Sequence, residues 1–144
     1  VENISQLGGI LALDVVLMNE DRHEGNLLLE PRIEEGDEVW RLWGIDFESA
    51  RAGHVDSFAE LDDETPDIGQ LPNDIPFEIL RGPALEAARE IAGWQRPFIK
   101  SVVVEACSVA CSHAAPELGR ALEERCRRAP SLVEQYFDEL MDTT

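Results

Sequence analysis

"MNEDRHEGNLLLE", residues Met18 to Glu30, joins an apolar helical pattern to a short apolar stretch with the character of a strand. It places an Asp, an Arg, a His and an Asn within six residues of one another. The end of a helix needs polar groups to satisfy its last carbonyls, which is one explanation. Asp21 and Asn26 also have the spacing that holds a reacting hydroxyl and a metal ion in phosphoryl transfer. Both interpretations, a helix cap and a catalytic loop, stay open at this point.

The residues before this stretch predict an amphipathic helix that ends near Asn19. Apolar residues recur there at intervals of three and four, as one buried helix face requires. These residues are Ile4, Leu7, Leu11, Val15 and Met18. Asn3 and Gln6 have the spacing of a capping box at the start of the helix.

The residues after it predict a two-stranded β-hairpin. Residues 27–29 form one apolar run, and residues 39–47, "VWRLWGIDF", form a second that is rich in β-branched and aromatic residues. The polar stretch between them carries Pro31 and Gly36, which are typical turn formers. Trp40 and Trp43 are three residues apart and therefore face opposite sides of a strand. We expect one of them in the core and the other at a cleft or an interface.

The second half of the chain predicts helices after a long acidic surface loop, residues 48–76. The expected helices span residues 84–92, 98–113 and 117–128, with a last helix opened by a capping box of Ser131 and Glu134. The fold class that follows is α+β and mostly α. With 144 residues and no internal repeat, residues 1–144 are expected to form a single domain.

The composition indicates an acidic globular protein. Thirty acidic and twelve basic residues give a net charge of −18, which repels phosphate backbones and anionic lipids, so we expect neither nucleic acid nor a membrane as partner. The sequence has no apolar run long enough to span a bilayer and no basic-then-apolar leader. Cys107, Cys111 and Cys126 are odd in number and lack metal-binding spacing, which favours buried thiols and a cytoplasmic setting.

Three residues form the candidate site: Asp21, Asn26 and Asp46. A hairpin returns the chain to its starting point, so Asp46 should come back beside Asn26. Two oxygen ligands suit Mg²⁺, which takes few protein ligands and completes its shell with phosphates and water. Asp21 would then orient a hydroxyl held near the metal. Simpler structural roles are also open, because Arg22 could neutralise Asp21 and Asn26 could be a turn residue.

The motif "NEDRHEGN" followed by "GIDF" resembles the catalytic loop and metal-binding motif of the protein-kinase-like fold. The order Asp-Arg-His-x-x-Asn is similar to that of phosphoinositide kinases and HipA-like bacterial kinases. The resemblance covers residues 19–47 and implies the helical C-terminal lobe of such a kinase, with ATP and Mg²⁺ as cofactors. It implies that Asp21 is the catalytic base, that Asn26 and Asp46 hold magnesium and nucleotide, and that His23 supports the loop or the transferring phosphate.

The sequence departs from that family in two ways. Glu48 replaces the glycine that usually follows the metal-binding Asp-Phe pair. The chain also has no glycine-rich phosphate loop, and its one lysine, Lys100, lies in the helical half. Since it begins at Val1 and lacks an N-terminal lobe, we expect a segment of a longer polypeptide, or a lobe completed by a partner chain. Whether this chain alone is an enzyme therefore stays open.

Three functions remain after the sequence has been considered. The first is an ATP- and magnesium-dependent phosphotransferase, with a protein or small-molecule acceptor. Because residues 56–67 carry six acids and no base, a protein or small-molecule acceptor, which could be basic, is favoured over an inositol phosphate. The second is a catalytically inactive kinase-like module that binds or regulates a partner. The third is a helical interaction protein in which the Asp-Asn-Asp pattern is a coincidence.

Overall fold

The computed structural model describes residues 2–19, 27–44, 65–66, 76–95, 97–99 and 115–142. These residues form four helices and two strands, in the order α1 (Glu2–Leu17), β1 (Leu27–Glu34), β2 (Asp37–Gly44), α2 (Phe77–Ala92), α3 (Ala115–Arg127) and α4 (Ala129–Asp142). The predicted class, α+β and mostly α with one antiparallel hairpin, is confirmed. Within the described residues, no helix has the length and apolar character needed to cross a membrane.

Helix α1 is the central element, and it packs against α2, α3, α4 and β2. The predicted apolar face is confirmed, since Leu7, Leu11, Val15 and Met18 are buried and Ile4 packs against the core. Other positions of α1 are buried as well, because neighbours cover the helix on several sides. A helix surrounded in this way becomes apolar over most of its circumference.

The core lies where α2 and α4 pack against α1. Helix α2 contributes Leu80, Ala84, Ala88 and Ile91, and α4 contributes Ala129, Leu132, Val133, Tyr136 and Phe137. Helices α1 and α2 approach closely at Gly8, where an added Cβ would lie 2.6 Å from the Cβ of Pro83 and 2.8 Å from the backbone N of Ala84. Glycine is therefore required at residue 8 by packing.

Three predicted helix starts are wrong. Helix α2 begins at Phe77, so Pro83 lies inside it rather than before it. Helix α4 begins at Ala129, which makes Ser131 a helical residue instead of a cap. The buried side-chain oxygen of Asn3 has no hydrogen-bond partner among the described residues, so Asn3 does not form the predicted capping box with Gln6. The predicted helix at residues 117–128 is confirmed to within two residues.

The hairpin is confirmed, but its turn is shorter than predicted. Only Glu35 and Gly36 separate the strands, and both have positive φ, 52° and 84°, as a type I′ turn requires. Pro31 belongs to β1, where it pairs with Trp40. The Glu34–Asp37 pair that closes the turn is hydrogen-bonded, and hydrogen-bonded and non-hydrogen-bonded pairs alternate from there. The Pro31–Trp40 pair, three positions further along, is therefore non-hydrogen-bonded. The missing N–H of proline then costs no ladder bond.

The two tryptophans correct a further prediction. They do lie on opposite faces of β2, but neither is in the core, because Trp40 is 48% exposed and Trp43 is 43% exposed. The hairpin contacts the helices at its open end, where Leu27 and Leu42 pack against the core. The remainder of the hairpin extends beyond that contact, so its aromatic side chains meet solvent.

Of the predicted acidic loop, only Thr65, Pro66 and Pro76 belong to the described residues. Pro66 is buried, and the Thr65 hydroxyl donates a hydrogen bond of 2.7 Å to a carboxylate oxygen of Glu139 on α4. Most of the helix predicted at residues 98–113, with Cys107 and Cys111, lies outside the described residues. Cys126 is buried, as expected of a core thiol.

Candidate functional site

The four predicted site residues, Asp21, His23, Asn26 and Asp46, lie outside the residues that the structure describes. The structure does describe the elements on both sides of them. One is the C-terminal end of α1, which includes Asn19, the first residue of the motif. The other is the open end of the hairpin, where β1 begins at Leu27 and β2 ends at Gly44.

Helix α1 ends in a Schellman motif. The N–H of Asn19 donates to the carbonyl of Asp14 at 2.9 Å, and the N–H of Met18 donates to the carbonyl of Val15 at 3.3 Å. Met18 has φ of 55°, the left-handed conformation that this motif needs and that glycine usually supplies. Met18 is nonetheless buried, so packing of its side chain offsets the cost of that conformation.

The side chain of Asn19 stabilises the same helix end. Its amide nitrogen donates a 2.9 Å hydrogen bond to a carboxylate oxygen of Asp14, and both residues are fully buried. Backbone and side chain of Asn19 therefore both bind Asp14. A buried carboxylate is costly without hydrogen bonds, so this pair stabilises one arrangement of the chain as it leaves α1.

Arg125, on α3, binds the last turn of α1 from the opposite end of the sequence. Its Nε donates to the carbonyl of Val16 and its Nη2 to the carbonyl of Val15, each at 2.8 Å. The side chain is 1% exposed. A guanidinium suits this position because its donors form a rigid fork and its charge faces the negative end of the helix dipole. The end of α1 is thus held by contacts within the helix and by a distant cation.

The open end of the hairpin is also attached to α1. The backbone N–H of Leu42 donates to the side-chain oxygen of Gln6. Leu42 pairs with Leu29 at a non-hydrogen-bonded position, so its N–H points away from β1 and towards the helix. In the same ladder Leu27 pairs with Gly44. Leu27, which directly follows Asn26, is therefore a neighbour of Gly44, which lies two residues before Asp46.

The electrostatics around Arg125 affect the adjacent thiol. Burial raises the pKa of Cys126 to about 11, while the neighbouring Arg125 charge lowers it and Glu123 raises it. Desolvation thus outweighs the attraction of the guanidinium. The thiol is protonated at neutral pH and unsuited to nucleophilic chemistry, which agrees with its position in the core.

The sequence reasoning missed Asp14 and Arg125. Asp14 had a recognisable signal, because it is a carboxylate inside the apolar run "LALDVVLM". A charge in such a run is buried or interrupts the helix face, and buried charges have partners. Arg125 had no comparable signal, since it lies in a strongly charged segment, "EERCRR".

Among the described residues, no three His, Cys, Asp or Glu side chains come together as a metal site. The predicted magnesium ligands, Asn26 and Asp46, are not among those residues. Comparison with protein-family models, with curated proteins and with solved structures found no match. A function is therefore inferred from the motif together with the geometry of the two elements that flank it.

Proposed function

We propose that this chain is the C-terminal, catalytic lobe of an atypical kinase, related to HipA-like and phosphoinositide kinases, that transfers phosphate from ATP with Mg²⁺. One observation carries the proposal, namely the pairing of Leu27 with Gly44 at the open end of the hairpin. Asn26 is bonded to the first of these residues, and Asp46 follows the second by two positions. Two oxygen ligands on adjacent chain segments are what a magnesium site in a kinase uses.

The proposed roles follow from the chemistry of each side chain. Asn26 and Asp46 would hold magnesium, which neutralises the phosphates of ATP when bound. Asp21 would accept the proton of the acceptor hydroxyl and orient its oxygen. His23 would hold the loop or the transferring phosphate by hydrogen bonding. The acceptor would be a protein or a small molecule, and the setting the cytoplasm, where ATP is available.

Glu48 favours a second candidate, a catalytically inactive kinase-like module. After the metal-binding aspartate, a glutamate has fewer allowed backbone conformations than the glycine that it replaces. In that case the same residues would serve to bind or regulate a partner. In the active case, an N-terminal lobe or a partner chain would complete the cleft over the nucleotide.

The decisive experiment is calorimetric titration of ATP into the chain with and without magnesium, repeated for Asp46→Asn. The matched control is Asp37→Asn, an exposed aspartate at the tip of the same hairpin. We expect binding that needs magnesium, is lost in Asp46→Asn and is kept in Asp37→Asn. Circular dichroism of each variant verifies the fold.

The other outcomes separate the candidates. Magnesium-independent binding, or full binding to Asp46→Asn, would reject Asp46 as a ligand. If ATP binds as expected, Asp21→Asn should retain binding and lose phosphate transfer, because the base acts only on the acceptor. Binding without transfer by the unaltered chain would favour the inactive module.

A further inference from the structure

The two faces of the hairpin differ in a way that the proposed phosphotransfer does not explain. Side chains alternate between faces along each strand, so the register assigns them. One face carries Leu27 and Leu42, which pack against the core, and beyond them Leu29, Pro31 and Ile33 from β1 with Glu38 and Trp40 from β2. This outer part of the face is called here the distal hairpin face. Its apolar members are exposed, Ile33 to 80% and Leu29 to 56%.

The opposite face exposes Leu28 and Trp43, but its polar side chains pair with one another. Arg41 forms an ion pair of 2.9 Å with Glu34, and the indole N–H of Trp43 donates to Glu30 at 2.8 Å. The guanidinium of Arg32 lies over the ring of Trp43, 5.7 Å from its centre. Such cross-strand pairs are how a sheet face that meets water is normally stabilised. The distal hairpin face instead presents β-branched and aromatic side chains to solvent.

Shape and charge at the distal hairpin face indicate what it would bind. An open depression there is lined by Pro31, Arg32, Ile33, Gly36 and Glu38. The Glu38 carboxylate lies on the same face directly across from Ile33. The adjoining tip adds the exposed Glu35 and Asp37. Arg32, which also lines the depression, is paired with Glu30 at 3.4 Å. An apolar contact therefore lies next to three carboxylates, those of Glu35, Asp37 and Glu38.

The mode of binding is restricted by Pro31. The outer edge of β1 presents the backbone groups of its non-hydrogen-bonded positions, and Pro31 occupies one of them without an N–H. An added strand would lose a ladder bond at that residue, as in edges protected against pairing. At the edge of β1, recognition through side chains on the face is thus favoured over strand addition.

We propose that the distal hairpin face binds a basic polypeptide segment of another protein, in which an apolar side chain lies next to a lysine or arginine. Charge complementarity selects this partner, because the net charge of −18 repels a second copy, nucleic acid and anionic lipid. The apolar side chain contacts Ile33 and Trp40, and the cation meets Glu38. The proposal does not depend on phosphotransfer.

The test uses short fluorescein-labelled peptides of alternating lysine and leucine, with leucine also replaced by phenylalanine or isoleucine, and anisotropy as the readout. Ile33→Ser should weaken binding about tenfold, as loss of a central apolar contact does. Its matched control is Ile79→Ser, an exposed isoleucine on α2. Glu38→Lys should weaken binding more strongly than Glu86→Lys, an exposed charge reversal on α2.

Three results would overturn the proposal. The first is no saturable binding of any peptide in the panel. The second is equal affinity for Ile33→Ser and Ile79→Ser, or for a lysine–serine peptide, since charge alone would then explain the binding. The third is a concentration-dependent dimer in sedimentation that Ile33→Ser abolishes, which would identify a second copy as the occupant.

Discussion

Replacing Arg125 with methionine tests whether this cation, far from α1 in sequence, stabilises the C-terminal end of that helix. The guanidinium donates to the carbonyls of Val15 and Val16, each at 2.8 Å, from a side chain that is 1% exposed. Methionine keeps much of the packing volume and adapts to irregular gaps, so the variant removes mainly the hydrogen bonds and the charge. The carbonyl of Val16, a buried residue, then loses the hydrogen bond that Arg125 donates.

The expected loss follows from those two bonds. A hydrogen bond to a charged group contributes about 1.5–3 kcal/mol to the free energy of unfolding. The carbonyl of Val15 also accepts from the N–H of Met18, so it retains a partner and the cost concentrates at Val16. We therefore expect Arg125→Met to lose about 1.5–4 kcal/mol, one charged hydrogen bond in full and part of a second. That is a large fraction of the roughly 5–15 kcal/mol that stabilises a typical domain.

Urea unfolding followed by circular dichroism measures the loss, with Arg127→Met as control on the same helix. Arg127 is exposed and pairs with Glu123 and Glu124, each at 3.0 Å. Surface pairs of this kind contribute about 0–1 kcal/mol. If Arg125→Met is no less stable than Arg127→Met, the Arg125 guanidinium does not stabilise the end of α1.

Three further predictions concern packing, ionisation and the turn. Gly8→Ala should lose about 1–3 kcal/mol in urea unfolding, because its Cβ would overlap Pro83, whereas Gly9→Ala, with 4.0 Å to the nearest atom, should gain up to about 1 kcal/mol; equal effects would refute the close approach. Burial raises the pKa of Cys126 from 9.0 to about 11, so the contribution of this thiol to the free energy of unfolding is complete below pH 9 and declines as the pH rises towards 11. Alkylation of Cys126, mapped by mass spectrometry, should be slow in the folded chain and fast in urea. Glu35→Asn should stabilise the hairpin by less than about 1 kcal/mol, because asparagine tolerates the φ of 52°, and Glu35→Val should act in the opposite direction.

The elements that could be predicted from the sequence are those governed by local pattern. The spacing of apolar residues located α1 and its buried face, and the two apolar runs located the hairpin. The turn was placed too broadly because Pro31 is a turn former in most settings. Its tolerance in β1 depends on which ladder position it occupies, and that position is known only once the register is known.

Some predictions failed because tertiary contacts decide the outcome. Gly82 and Pro83 normally precede a helix, yet α2 continues through both. Packing of α2 on α1 at Gly8 is available only to the folded chain, and such contacts override weak local signals. The capping box at Ser131 failed for a related reason, since α4 begins two residues earlier, directly after α3.

The candidate site also combines local pattern, which the sequence shows, with tertiary contacts, which it does not. Its polar motif was visible because the residues lie close together in sequence, and their roles remain predictions. The support for the motif was not visible, because Arg125 contacts a carbonyl 109 residues away. Nothing in a charged surface-like segment distinguishes the one arginine that will be buried.

The contacts at the end of α1 bear on the choice between a helix cap and a catalytic loop. The carbonyl of Asp14 already accepts from the N–H of Asn19, that of Val15 from Met18 and Arg125, and that of Val16 from Arg125. A helix leaves only its last four carbonyls without partners, so most of the need for a cap is met before Asp21 is reached. The polar residues between Asp21 and Asn26 are therefore not required to end the helix. That removes helix capping as the reason for placing an Asp, a His and an Asn there, so the choice is between a turn with paired charges and the proposed phosphate chemistry.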